Sequence, residues 1–173
     1  MAYNAEWIRN AIKTRLEDNF AAALDTIEAE WADTDPVTLP DVETWFLGHK
    51  PTVLELESSE FPFVAIIIAD RVPETEPIRW GYQEQVITAY VDYFVVAADE
   101  TTVNKIAHRY AEAIVAILQG EAVIEGFTQQ NYEAEVALSE ASRHAKHKEA
   151  DMFAEADVDF IKMGRVTVPL EGG

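Results

Sequence analysis

Cysteine is absent from the 173-residue chain, which removes disulfide frameworks, thiolate metal sites and cysteine nucleophiles together. Basic residues are scarce, with 13 Lys and Arg against 32 Asp and Glu and a formal charge of −19. So negative a molecule is repelled by phosphate backbones and anionic lipid, which disfavours sequence-specific nucleic-acid binding and membrane association. No stretch approaches the roughly 18 uninterrupted apolar residues of a membrane span. The start, Met1-Ala2-Tyr3-Asn4-Ala5-Glu6-Trp7, lacks the basic segment and apolar run of a signal peptide. A soluble chain that no signal peptide exports is the expectation. The seven glycines form no phosphate-cradling loop, and neither a Gly-x-Ser-x-Gly elbow nor a His-Glu-x-x-His helix occurs. An enzyme is therefore the weaker expectation, and no cofactor is implied.

What is present suits one ordinary globular domain over residues 1–173. Hydrophobic residues make up 49% and charged residues 26%, and a chain of this length buries roughly 70% of its unfolded surface without staples. From Ala5 to about Ala32, Trp7, Ile8, Ala11, Ile12, Leu16, Phe20, Ala23, Leu24, Ile27 and Trp31 recur at spacings of three and four, predicting one long amphipathic helix with Asn4 as N-cap and Asp35-Pro36 as its stop. Residues 36–51 have no sustained period, and Thr52 to Glu57 alternate as a short strand. Phe61 to Ala69 are apolar on both alternating faces, with Pro62 tolerable only at the start. Gln83 to Ala97 read as a long strand with Ile87, Ala89, Val91, Tyr93 and Val95 on one face and Val86, Thr88, Tyr90, Asp92, Phe94 and Val96 on the other. A second helix follows at about 101–119, capped by Thr101 or Thr102, its stripe running from Val103 to Leu118. The remainder predicts a C-terminal β-hairpin with arms Tyr132 to Glu140 and Met152 to about Val168 and a long connection between them. The fold class expected is α+β, a mostly antiparallel twisted sheet with two main helices.

The faces then constrain assembly. Two helices cover one side of such a sheet, yet the strands at 61–69 and 83–97 are apolar on both sides. The second side is covered either by the loop at 33–60, which carries Trp45, Phe46 and Leu47, or by a neighbouring subunit that meets Tyr90, Phe94 and Val96.

Few residues suggest chemistry. His144 and His147 stand three apart near Glu149 and Asp151, a spacing that suits a metal on a helix. They lie, however, in Arg143-His144-Ala145-Lys146-His147-Lys148, the one basic cluster of the chain, and adjacent cations disfavour another cation. A positively charged loop tip is the better reading. Glu133 and Glu135 on one hairpin arm and Glu155, Asp157 and Asp159 on the other offer carboxylates for Mg²⁺ or Ca²⁺, but an acidic solvated face explains them as well, so no metal site is expected.

The order of elements resembles the tail terminator, or tail completion, proteins of long-tailed bacteriophages. The resemblance lies in Trp7 to Trp31, Phe63 to Ala69, Gln85 to Ala97 running through an acidic turn into Val103 to Leu118, and the paired segments Glu133 to Leu138 and Ala154 to Phe160. It spans nearly the whole chain and rests on order and pattern without a diagnostic motif. It implies a structural virion protein at the tail–neck junction, assembled in the host cytoplasm as a homo-oligomer, with a hexameric ring as the expected form. Its partners would be the tail tube protein and a neck or connector protein. DNA would pass through the lumen without specific binding. On that reading Glu133, Glu135, Glu155, Asp157 and Asp159 are candidates for an acidic lumen lining that repels phosphate. Tyr90, Phe94 and Val96, with Arg143, His144, Lys146, His147 and Lys148, are candidates for subunit or partner contacts. Two alternatives stay open: another connector or stopper of the neck, and an acidic small-molecule-binding domain whose pocket uses Trp45, Trp80 and Tyr82.

Overall fold

Spacings of three and four produce the long helix, α1 (Ala5–Trp31), whose stripe Ile8, Ile12, Leu16, Phe20, Leu24 and Ile27 is buried along its length. Trp7 and Trp31 cap the two ends of that stripe and remain 40% exposed. The structure is a computed structural model describing residues 5–69, 85–119, 127–128, 135–147 and 158–172. Asn4, Lys148 and residues 70–84, 120–126, 129–134 and 149–157 lie outside the described residues. After α1 come β1 (Thr44–Leu47), β2 (Phe63–Ile68), β3 (Gln85–Ala97), α2 (Glu100–Leu118), β4 (Phe127–Thr128), β5 (Glu135–Leu138), β6 (Ser142–Ala145) and β7 (Val158–Gly172).

These strands form one sheet in the order β1-β2-β3-β7, with β4, β5 and β6 following one another along the far edge of β7. Among the described residues only β1 and β2 pair in parallel, and the other pairings are antiparallel. The class is α+β, with both helices on one face. Period-2 alternation sends Val64 and Ile66 of β2, Ala89, Val91, Tyr93 and Val95 of β3, and Val166, Val168 and Leu170 of β7 into a single core with the stripes of α1 and α2. Tyr93 donates to the Ala107 carbonyl of α2 at 2.5 Å, and burial pushes its hydroxyl well above the ordinary tyrosine range. Gly164 lies opposite Tyr93 in the ladder, and a Cβ there would meet the Tyr93 ring at 2.1 Å. The two helices are tied at one end by Asp35, which accepts from Lys105 at 2.5 Å and from Arg109 at 3.2 Å, with the Arg109 guanidinium 5.0 Å from the Trp31 ring centre.

Four expectations need correction. Thr52 to Glu57 form no strand: Val53–Glu55 and Ser58–Glu60 are 3-10 turns. Three residues per turn put Val53 and Leu56 on the same side, where both pack on the sheet, and this mimics alternation over so short a window. The strand of this region is β1, four residues with every side chain half-buried. The cap of α2 is Asp99 rather than either threonine, its carboxylate accepting from the Thr102 backbone N–H at 2.8 Å and the Thr102 hydroxyl at 2.7 Å. Those bonds hold the Asp99 carboxyl below its usual range.

The remaining two corrections concern the hairpin. Arg143 and His144 are not a loop tip but lie in β6, paired with Phe160 and Asp159. β5 and β6 are one edge strand interrupted by a bulge. Glu135 pairs Thr167 and Leu138 pairs Gly164, whereas Ser142 pairs Ile161, so three residues, 139–141, oppose two on β7. The Ser139 backbone N–H donates to the Met163 carbonyl at 2.9 Å inside this bulge. The extra residue reverses the faces: Val136 and Leu138 share the helix side before it, Arg143 and Ala145 after it. Glu135 pairs Thr167 and Asp159 pairs His144, so these two acids do not face each other across the ladder.

Candidate assembly surface

Among the described residues, the face of the sheet turned away from the helices divides into a covered half and an open half. In the covered half Phe61, Phe63, Phe94 and Ile161 form a second, smaller core, joined by Phe46, Val53, Leu56, Val96 and Met163. Phe63 and Phe94 are direct ladder partners with rings stacked at 4.7 Å, and Phe46 meets Phe63 edge-on at 5.3 Å. The cover is the chain's own segment 53–61. Within it the Glu57 backbone N–H donates to the Glu60 carboxylate at 2.7 Å, and the Ser58 N–H fastens it to the sheet by donating to the Lys146 carbonyl at 3.1 Å. His144, only 4% exposed, sits under the same segment with its ring 5.0 Å from Phe61. Burial pushes its imidazole below the ordinary histidine range, partly opposed by a hydrogen bond with the Leu56 backbone and by the charge of Asp159. Of the two candidates for covering this face, the 33–60 loop thus supplies half of the answer, through its second part. Its first part runs on the helix side, where Leu39 is buried and Tyr110 donates to the Pro40 carbonyl.

The open half is organised by one buried charge. Asp92, in the middle of β3, has no solvent exposure. Its ladder partner Arg165 binds it with both arms, Nε at 2.6 Å and NH2 at 2.8 Å, and Lys50 approaches at 3.5 Å. A bidentate guanidinium and a second cation offset the cost of burying the carboxylate. The bond to Asp92 raises Arg165 above its ordinary range, so the guanidinium stays charged. Arg165 also lies over the Tyr90 ring at 4.4 Å, a cation–π contact that ties the two side chains together. Around them Ile67, Thr88, Tyr90, Thr167 and Pro169 are half-buried in the isolated chain.

The candidate contact residues scatter accordingly. Phe94 is 8% exposed and spent inside the small core. Tyr90 and Val96 keep half-exposed faces. Arg143 and His147 are exposed, His144 is buried, and Lys146 reaches Asp159 at 3.7 Å. Of the candidate acidic lining, Glu135 is exposed, while Asp159 is buried and ion-paired and belongs to no solvated face. Glu133, Glu155 and Asp157 lie outside the described residues, as do Trp80, Tyr82 and Lys148. Trp45 lines no pocket on the open face: it packs on the main core, edge-on to Phe20 at 5.9 Å. A shallow groove of about 470 Å³ runs along α1 between Trp7 and Asn19. Among the described residues no three His, Asp or Glu side chains are grouped to hold a metal ion, and no helix is long and apolar enough to cross a membrane.

Asp92, Arg165 and Lys50 were not singled out by the sequence reading. Their signal was nonetheless present: one acid within Ala89 to Val96 and one arginine within Met163 to Val168, each interrupting an apolar strand, is the pattern of a cross-strand ion pair. No family model matches the chain, and no curated protein matches it.

Proposed function

We propose that this chain is a structural virion protein that forms a ring at the head-proximal end of a phage tail tube, ending tail polymerisation and joining the tail to the neck. The observation that carries the reading is the half-finished sheet. Both helices cover one face, the chain's own 53–61 segment closes half of the other, and among the described residues the remainder presents Tyr90, Arg165 and their half-buried neighbours as a preorganised patch. A subunit that must meet identical neighbours head to tail needs such a patch, distinct from the surface it contacts. The order of elements, long helix, strands, crossing helix and closing strand pair, supports it too, being the order that the resemblance implies. A charge of −19 suits a joint past which DNA must slide, because a surface that repels phosphate gives the duplex nowhere to stick.

The reading is tested on the tube itself. Purified chain added to tail tubes from a phage that encodes it is expected to sit at one tube end in negative-stain images and to stop further growth when free tube protein is supplied. Tubes that lengthen at an undiminished rate with no density at either end would overturn the proposal.

A further inference from the structure

The segment 53–61 that covers half of the second face is held to the sheet by few bonds. Its two 3-10 turns close on themselves, the Leu56 N–H on the Val53 carbonyl and the Phe61 N–H on the Ser58 carbonyl. Among the described residues its one main-chain bond to the strands runs from the Ser58 N–H to the Lys146 carbonyl of β6. The rest of its hold is the packing of Val53, Leu56 and Phe61 in the small core and a hydrogen bond between the Leu56 backbone and the His144 ring. A segment so attached opens at a lower free energy than the strands beneath it.

His144 meets this cover from below. Its ring is buried against Phe61, and once it has bonded the Leu56 backbone its Nε2 atom is enclosed with no hydrogen-bond partner. The bond to Leu56 favours the protonated ring, as one donated to a carbonyl does, so Nδ1–H makes it. A further proton must then sit on Nε2. The neutral ring leaves a lone pair unpaired there, whereas the protonated ring would leave a charged N–H unpaired, which costs more. The charged groups on the elements around the ring are, among the described residues, Asp159 on β7, Lys146 and Arg143 on β6, and Glu55, Glu57 and Glu60 on the cover. Arg143 points to the other face of the sheet, Glu55 and Glu60 are exposed, and the Glu60 carboxylate already accepts from the Glu57 N–H. Burial opposes a proton on the ring more than the charge of Asp159 favours it, and Asp159 is shared with Lys146 at 3.7 Å.

We infer that segment 53–61 is a proton-operated cover: a proton taken up by His144 lifts the segment off the sheet and uncovers Phe63, Phe94 and Ile161, while the core on the helix side stays closed. The inference is independent of the ring reading. Lifting the segment puts the imidazole in water, where it holds its proton with ordinary affinity, so uptake and opening are linked. The closed form keeps its full advantage above the ordinary histidine value of 6.5 and loses it as the pH falls from there through the lowered value of the covered ring. Between pH 7.5 and 5.5 the ordinary value limits the linked change in opening to about tenfold. Acid thus turns an enclosed cluster of rings into an exposed apolar surface.

The absence of cysteine makes the test direct, because any thiol introduced is the only one. Ile161→Cys places it under the cover, and Val91→Cys places it in the core on the helix side. Each is labelled with 4,4′-dithiodipyridine at pH 7.5 and 5.5, and the rate is divided by that of the same variant unfolded in urea at the same pH. For Ile161→Cys the ratio is expected to rise roughly three- to tenfold on acidification, and less than about twofold when His144→Gln is added. Val91→Cys is expected to stay unlabelled at both pH values. A ratio that does not rise, or rises equally with His144→Gln, would overturn the inference. An equal rise at Val91→Cys would mean that the whole domain opens, and would overturn it as well. Should Ile161→Cys itself loosen the cover, hydrogen exchange of residues 53–61 in the unaltered chain and in His144→Gln, referred to the unstructured rate at each pH, decides by the same criteria.

Discussion

On the helix face of the sheet, Val64, Ile66, Ala89, Val91, Val166, Val168 and Leu170 pack against two helices, and the one charge near them, Lys162 at the start of β7, donates to the Asn104 side chain of α2 at 2.8 Å. On the opposite face the same three strands carry Phe63, Phe94 and Ile161 under a short segment of irregular chain, and then Asp92 and Arg165 beside a half-exposed Tyr90. The first face is finished by a cover of long helices, which supply dispersion contacts over their whole length. The second is finished by local means: one cluster of rings, and one ion pair where the rings stop. The difference teaches why hydrophobic alternation alone overstated the need for a neighbour. A strand that is apolar on both sides requires two covers, but one of them can be in part a short segment of its own chain, here residues 53–61.

Substitutions can break this comparison. The largest effect is expected at Phe63. If the small cluster is a second core, Phe63→Ala destabilises by about 3–5 kcal/mol in chemical denaturation, as much as a core aromatic does elsewhere. A cost below about 1 kcal/mol would mean that the 53–61 segment is only loosely placed. Next comes Arg165→Ala, which leaves the buried Asp92 with Lys50 alone at 3.5 Å. Breaking a buried pair costs about 3–5 kcal/mol, and the partial exposure of Arg165 reduces the expectation to about 2–3. The double change Asp92→Val with Arg165→Leu is expected to recover most of that loss, since an apolar pair needs no desolvation of charge. On the helix face Gly164→Ala forces the new Cβ onto the Tyr93 ring and is expected to cost about 1–3 kcal/mol, with Tyr93→Phe giving little relief because the ring carbons are in the way as well.

A smaller effect separates the faces by pH. His144 lies on the second face with its pKa lowered by burial, so the unfolded chain binds its proton at a higher pH than the folded chain. Stability is expected to be unaffected by this residue above the ordinary histidine range and to fall as the pH drops from there through the lowered value. His144→Gln is expected to flatten that slope in denaturation midpoints measured between pH 7 and 5. An unchanged slope would mean that the imidazole is not confined under the 53–61 segment.

Long elements were legible in the sequence because their signals are redundant. α1 repeats its apolar spacing over 27 residues and α2 over 19, so a single exception such as Trp7 cannot disguise the period. β2 and β3 were legible because burial on both faces leaves little room for polar residues. The C-terminal strands were only half legible. Alternation from Val136 to Leu138 points to the helix side, but the bulge at 139–141 reverses it, and Arg143-His144-Ala145 then resembles a basic loop. A one-residue insertion is invisible to any test of period 2 that crosses it. The candidate surface suffered from the same locality. Tyr90 and Val96 were identified by exposure of pattern, whereas the group that organises the patch, Asp92 with Arg165, joins positions 73 residues apart and needs the ladder to be seen.

The measurement that bears most directly on the account is the mass of the wild-type chain in solution by light scattering, with negative-stain images of any large species, repeated in the presence of tail tubes. The account predicts a closed assembly of defined mass with a central hole, six copies being the number the resemblance implies, either free or capping the tube. A particle of 19.4 kDa at every concentration and salt, with tubes left uncapped, would contradict it.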